Sequence, residues 1–181
     1  MRVKGSAIVA RREWLREQGV GAYERVLSAL SPATREAVEG AIASIWVDFD
    51  HFTELCEVAD RVLGTGDHRI GEEMARDAAE RNLTTLYRLF FKVGRPAYIL
   101  EKSASMWRTI YDTGNFRVER LSASEVRATL EGIPRPHRAH CVAVLAWAIR
   151  ALELSGARDV QAEERCRLLG DAECSFHVRW R

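Results

Sequence analysis

The stretch that organises this sequence lies near its C-terminus and reads Glu163-Glu164-Arg165-Cys166-Arg167-Leu168-Leu169-Gly170-Asp171-Ala172-Glu173-Cys174-Ser175-Phe176. The Gly-Asp pair is a strong turn signal, and the residues on either side alternate as strands do, so the stretch predicts a β-hairpin. With a loop of three residues, Leu169 to Asp171, Cys166 falls opposite Cys174 and both sulfurs can reach one ion. Thiolates and carboxylates are zinc ligands, and closed sites rich in sulfur are usually structural.

Two further ligands would complete such a site. Cys141, at the start of a long apolar helix, is the best candidate for one of them, because helix N-termini favour the thiolate. The carboxylate stays open between two neighbours: Glu164 shares the strand face of Cys166, whereas Glu163 would need a β-bulge to reach it. The competing interpretation is that Cys166 and Cys174 are small strand hydrophobes with no metal between them.

The motif also resembles a known family. Glu163, Cys166, Gly170-Asp171 and Cys174-Ser175-Phe176 are similar to the C-terminal signature of the 4-vinyl reductase domain family, and Cys141 lies about where that family's earlier cysteine is expected. The related sensor domains of bacterial activators that detect aromatic hydrocarbons carry a zinc on three cysteines and one glutamate. The resemblance therefore implies a structural zinc on Cys141, Glu163, Cys166 and Cys174.

This resemblance is close only over the last fifth of the chain, and the order of elements agrees more loosely from about residue 70. The whole length, with the closing Val178-Arg179-Trp180, resembles a myxobacterial family with many paralogues. The 4-vinyl reductase family shares its fold with the haem-based nitric-oxide sensor domains and with vesicle-tethering proteins of the Golgi. All of them use the space between a helical layer and a sheet, for a small molecule or an acyl chain.

Composition places the chain among ordinary globular proteins. It has 181 residues, of which 47% are hydrophobic and 29% are charged, which suits one domain with a sizeable core. The net charge of +1 gives no overall field that would favour nucleic acid or an anionic membrane. No apolar run approaches the roughly 20 residues that span a bilayer, and the N-terminus does not resemble a secretory signal, so we expect a cytoplasmic protein with reduced cysteines.

Hydrophobic periodicity predicts helices first, then two strands, a helix and two more strands. We expect a single α+β domain over residues 1–181, with N-terminal helices packed on one face of a small antiparallel sheet. The predicted strands are residues 4–10, 116–120 and 125–130 and the two strands of the final hairpin. The predicted helices are a short one over 11–18, then 20–30, 32–42, 51–63, 69–92, 96 to about 107–111, and 137–154.

The leading functional hypothesis is a non-catalytic, sensor-type domain with a structural zinc, which binds a small apolar or aromatic molecule between the helices and the sheet. Apolar pockets with a few polar groups are the usual form of such sites. Aromatic residues near the predicted sheet and its covering helix could line the pocket or could be plain core. These candidates are Trp107, Tyr111, Phe116 and Trp147.

Other functions are open as well. A lone sensor domain needs a protein partner for signal output, so the alternative is an adaptor or interaction module of the same fold, expected to be a homodimer, with no small-molecule ligand. An enzyme is disfavoured, because the sequence has no dinucleotide fingerprint, no His-Glu-x-x-His and no Cys-x-x-Cys. A haem sensor is disfavoured because the Tyr-x-Ser-x-Arg motif of that family is missing, although His51, His68 and His177 could in principle bind a haem iron.

Overall fold

The computed structural model of the protein describes residues 1–86 and 96–181, with residues 84–86 described by their backbone alone. The N-terminal half is mainly helical, and the C-terminal half places one long helix against a sheet. The elements are β1 (Arg2–Lys4), α1 (Gly5–Glu17), α2 (Ala22–Ala29), α3 (Pro32–Glu39), β2 (Trp46–Asp48), α4 (Phe49–Leu63), α5 (Arg69–Leu86), α6 (Pro96–Ser105), α7 (Trp107–Ile110), β3 (Asn115–Ser122), β4 (Glu125–Glu131), α8 (Arg138–Leu154), β5 (Gln161–Arg165) and β6 (Cys174–Arg179).

The C-terminal sheet has the predicted strand, strand, helix, strand, strand order. Its four strands are antiparallel and lie in the order β3-β4-β6-β5, with β5 at one edge. Helix α8 packs against α5, α6 and β6, and one continuous apolar core joins the helices to the inner face of the sheet. The α+β class, with helices on a small antiparallel sheet, is therefore confirmed.

The N-terminus differs from its prediction. Residues 4–10 were expected to form a strand, but the strand stops at Lys4 and a helix begins at Gly5. A helical repeat decides this, since Ile8, Arg11 and Leu15 are spaced three and four residues apart and all are buried. Glycine is needed at position 5, because a Cβ there would lie 2.1 Å from the Ile42 carbonyl oxygen.

Most other helix boundaries follow their sequence signals. Ser31 caps α3, and its hydroxyl accepts a hydrogen bond from the Thr34 N–H at 3.3 Å. Helix α4 starts at Phe49, two residues before the predicted start at residue 51, with Asp48 as its N-cap. The predicted helix from Pro96 is divided into α6 and α7. The predicted continuation of α5 to residue 92 lies outside the described residues.

Among the described residues, no helix combines the length and the apolar character that crossing a bilayer would require.

Candidate metal centre and the adjoining aromatic core

Three of the four cysteines meet in the interior at the junction of α8 with the sheet. Cys141 comes from the first turn of α8, Cys166 directly follows β5, and Cys174 begins β6. All three are buried, their sulfur atoms lie within 4.8 Å of one another, and the Sγ atoms of Cys141 and Cys174 are 3.9 Å apart. The structure thus brings together the three predicted cysteine ligands.

The spacing of these sulfurs fits a zinc ion. Zinc–sulfur bonds of about 2.3 Å in a tetrahedral site place neighbouring sulfurs about 3.8 Å apart. Within the described residues, no imidazole or carboxylate joins the three thiols. The segment from residue 84 to residue 95 contains no Cys, His, Asp or Glu, so it cannot supply a conventional fourth ligand either.

The hairpin loop is shaped around the two cysteines that it joins. Gly170 adopts a φ of 99°, which glycine tolerates best, and closes a 3-10 turn over Arg167–Leu169. The Asp171 carboxylate accepts a hydrogen bond from the Cys166 N–H at 2.8 Å. The Arg167 N–H points at the Cys174 sulfur at 3.5 Å. Such N–H groups stabilise metal-bound thiolates, so the loop already has the hydrogen bonding of a ligand loop.

The two neighbouring glutamates face opposite ways. Strands β5 and β6 pair in regular register, with Glu163 opposite His177 and Glu164 opposite Phe176, so β5 has no bulge. The Glu163 side chain is 69% exposed and pairs with Arg179, away from the three sulfurs. The Glu164 side chain is 16% exposed, shares the face of Cys166, and binds Arg138 through two hydrogen bonds of 2.5 and 2.7 Å.

Without a bound cation, the electrostatics of the cluster favour neutral thiols. Burial raises the pKa of the Cys141 thiol far above its usual value, and the neighbouring sulfurs of Cys174 and Cys166 raise it further. The Arg138 guanidinium lies close by, and its pKa is raised chiefly by its hydrogen bonds to Glu164. Three crowded thiols cannot ionise together without a compensating charge, and a divalent metal supplies that charge by displacing their protons.

We expect the two glutamates to respond differently to neutral substitution. Glu164→Gln would leave the half-buried Arg138 without a counter-ion and should cost about 1–2 kcal/mol of unfolding free energy, by analogy with other charged hydrogen bonds. Glu163→Gln removes an exposed pair and should cost less than about 0.5 kcal/mol. Urea unfolding of both variants measures this difference, and equal losses would contradict it.

The same two variants identify the carboxylate ligand. If the three thiols hold a zinc ion, the glutamate whose substitution weakens zinc retention against a competing chelator is the fourth ligand. Because Glu164 already faces the Cys166 side of β5, we expect the loss in Glu164→Gln.

Beside the cysteines lies a cluster of aromatic side chains between α7, α8 and β3. The Trp107 ring stacks on Tyr111 with centroids 4.3 Å apart and on Phe116 at 5.8 Å, and all three side chains are buried. Trp147, the fourth predicted lining residue, is only partly buried and has no recorded ring contact with these three, although it packs against the main core and also against the small group around Ala75. The structure therefore groups three of the four aromatic candidates and places Trp147 at the contact between α5 and α8.

His140 belongs to this cluster and was not predicted as a site residue. It is fully buried, with ring centroids 5.0 Å from Phe49 and Tyr111 and 5.9 Å from Trp107. Neither ring nitrogen has a hydrogen-bond partner among the described residues. Burial lowers the pKa of His140 to about 3, so the ring is neutral near pH 7. A signal existed in the sequence, because His140 opens the uncharged stretch of α8.

Two surface grooves accompany this closed interior. A groove of about 510 Å³ lies along α3 and β2 and is bordered by Trp46 and His51, and one of about 380 Å³ surrounds the turn at Gly19. Neither of these two grooves is lined by the aromatic cluster.

Comparison with solved structures defines the class of fold. The H-NOX protein from K. algicida, Fe(II) unliganded, superposes with a TM-score of 0.70 at 14% identity, over 98% of this chain and 96% of that one. The S. oneidensis H-NOX protein in its Fe(II)NO state gives 0.67 at 12% identity, over 98% and 99%. An oxygen-binding H-NOX domain related to soluble guanylate cyclases gives 0.65 at 11% identity, over 98% and 95%.

The chain therefore has the H-NOX fold, which confirms the sensor-domain fold that the sequence resemblance implied. No protein-family model and no curated protein sequence matches the chain. The TM-scores establish a shared fold, but at identities of 11–14% they do not show that the site chemistry is shared. The chemistry of the site has to be argued from this chain's own residues.

The residues present do not fit a haem. One solved structure of this fold was used to probe heme distortion in the H-NOX family. A haem iron is held by an axial side-chain ligand, and the flat macrocycle needs an apolar space beside that ligand. Of the five histidines only His140 is buried in the core, and among the described residues the rings of Phe49, Tyr111 and Trp107 lie with centroids 5.0–5.9 Å from its own, closer than a haem beside it would allow. The other histidines are partly exposed: His51, His68, His137 and His177.

Proposed function

We propose that this chain is a non-catalytic, sensor-type domain in which a structural zinc is held by Cys141, Cys166 and Cys174. A glutamate of β5, Glu163 or Glu164, completes the site, as the 4-vinyl reductase signature implies. The whole of residues 1–181 forms one such domain. A small apolar or aromatic molecule binds in the aromatic core between the helices and the sheet.

The observation that carries the proposal is the meeting of three buried thiols from three separate elements. A metal there would fasten the first turn of α8 to both strands of the final hairpin. Strand β5 needs such an anchor, because it is an edge strand that pairs with β6 alone. A metal with this placement stabilises the fold, and its thiolate ligands with a closing carboxylate leave no open position for a substrate.

The ligand-binding part of the proposal rests on the composition of the core beside the metal. Trp107, Tyr111 and Phe116 give flat apolar walls, and His140 gives a neutral hydrogen-bonding edge among them. Apolar walls with a few polar groups are the form that small-molecule sites take.

Metal analysis with a thiol titration tests the metal centre directly. Protein purified without added zinc should contain one zinc per chain. Titration with an organic mercurial, followed by a zinc indicator, should release that zinc as three thiols react. Protein without metal, or release that follows reaction of a single thiol, would contradict the proposal.

The alternative is a dimeric interaction module without a ligand. The exposed apolar side chains of Ile42 and Ile45 beside the groove along α3 favour it, since such patches often mark protein contacts. Light scattering across a range of concentrations measures the mass. A stable dimer that takes up no aromatic probe would favour the module, and a partner would then be needed for any signal output.

A further inference from the structure

Arg11 is a buried cation inside the helical layer. It lies on the inner face of α1 and is only 6% exposed. Its Nε has no hydrogen-bond partner, and its one hydrogen bond from Nη1 goes to the Ala7 carbonyl oxygen in its own helix at 3.3 Å. The guanidinium carbon lies 4.8 Å from the centre of the Phe52 ring.

No carboxylate neutralises this charge. Among the described residues Arg11 forms no ion pair, and the segment 84–95 contains no Asp or Glu that could reach it. The cation–π contact with Phe52 offsets only part of the cost of removing a guanidinium from water. A buried charge without a partner is destabilising, so its presence needs a reason other than stability.

The groups around Arg11 are hydrogen-bond donors set among apolar walls. The Cys56 thiol lies near Arg11, and burial, which outweighs the effect of that charge, raises the pKa of the thiol, so it stays protonated. The charge of Arg11 also acts on Tyr111 and on His140, whose two nitrogens have no partner. Arg11, Cys56, Tyr111 and His140 all carry hydrogen-bond donors, and no carboxylate of the described residues pairs with Arg11, so these side chains are complementary to an anionic oxygen.

We propose that Arg11 anchors a site for a small monocarboxylic acid with an aromatic or apolar body. The carboxylate pairs with the guanidinium, which suits its planar two-oxygen geometry, and the body packs on Phe49, Tyr111 and Trp107. A single guanidinium balances one negative charge, which selects a monoanion over a phosphate dianion. This inference rests on the proposed ligand-binding function and names the chemical class of its ligand.

The test compares a charged probe with a neutral one of nearly the same shape. Binding of benzoate and of benzyl alcohol to the full zinc-loaded chain is measured by calorimetry. Benzoate should bind the unaltered chain, and its affinity should fall at least tenfold in Arg11→Met. The matched control is Arg12→Met, which removes the next arginine, whose Nη1 caps the Val38 and Glu39 carbonyls at the end of α3. Benzoate affinity should be unchanged in that variant.

Thermal unfolding without a probe gives an independent readout. Met has a similar volume and no charge, so Arg11→Met removes the cost of burying an unpaired cation. If Arg11 serves a ligand rather than the stability of the fold, the substitution should raise the melting temperature of the unliganded chain by about 4 °C or more. A lower melting temperature would assign Arg11 a structural role and overturn the inference.

The outcomes separate the two levels of the proposal. Benzyl alcohol binding equally to both chains, with no binding of benzoate, would keep a ligand-binding core and reject the carboxylate anchor. Equal affinity of benzoate for the unaltered chain and Arg11→Met would reject the anchor as well. Failure of both probes to bind the unaltered chain would count against the ligand-binding function itself.

Discussion

Cys174→Ser is expected to remove the zinc and to leave most of the protein unfolded at room temperature. A structural zinc contributes on the order of 10 kcal/mol to folding, which is comparable with the whole stability of a domain of this size. Serine would also leave a polar hydroxyl beside the remaining sulfurs of Cys141 and Cys166. Circular dichroism, chemical denaturation and metal analysis of the purified variant measure the effect.

The matched control is Cys56→Ser. Cys56 is equally buried, but it lies on α4 and is not part of the three-thiol group. The same chemical change there should cost about 1–2 kcal/mol, the penalty for a buried polar group in a protein, with the zinc retained. Similar losses in the two variants, or an unchanged melting temperature in Cys174→Ser, would show that no metal stabilises the hairpin.

The approach of Cys166 to Cys174 could be predicted from sequence because it depends on local geometry. Strands β5 and β6 pair as far as Arg165 with Ser175, so Cys166 and Cys174 stand at the two ends of the hairpin connection, although that connection is longer than the three residues assumed from the Gly170-Asp171 turn signal. Strand alternation then decides which side chains share the face of Cys166. The same rule shows why Glu163 points to solvent, since only a bulge could have turned it inward.

The buried polar groups of the core could not be found in the same way. Reading residues 4–10 as a strand hid the helical spacing of Ile8, Arg11 and Leu15, so the position of Arg11 on the apolar face went unnoticed. A strand and a helix over residues 4–10 would both contain hydrophobic residues and would differ only in the spacing of those residues. Seven residues are too few to distinguish a repeat of two from a repeat of 3.6. Trp147 was misplaced for a different reason. Helix α8 is apolar on most sides, so its sequence does not show which face meets the sheet and which meets α5.

The likeness to H-NOX proteins shows how one fold can carry different sites. The chain keeps the helical layer and the antiparallel sheet, while three aromatic rings pack around His140 and three thiols gather where α8 meets the hairpin. Function is set by these side chains rather than by the topology. The expectation of a bound small molecule therefore has to be tested on the residues of the core.

Trp107→Ala tests that core and should be the most damaging substitution away from the cysteines. The side chain is buried, stacks on Tyr111 and Phe116, and donates its indole N–H to the Thr113 carbonyl oxygen at 3.2 Å. Truncating a buried tryptophan typically costs about 3–5 kcal/mol, because the transfer energy is lost and a cavity remains. Trp147→Ala removes the same atoms from a half-buried site and should cost about 1–2 kcal/mol.

Added indole distinguishes a ligand-lining role from plain core packing at Trp107. The truncated chain has an apolar cavity of the right shape, and such cavities bind small aromatic molecules. Indole should therefore raise the melting temperature of Trp107→Ala and leave that of Trp147→Ala unchanged. If Trp107 also forms a wall of the natural site, benzyl alcohol should bind the unaltered chain and bind Trp107→Ala with a different affinity. Rescue by indole with no binding of benzyl alcohol to the unaltered chain would assign Trp107 to packing alone, because a core that opens only when a side chain is removed has no ligand site of its own.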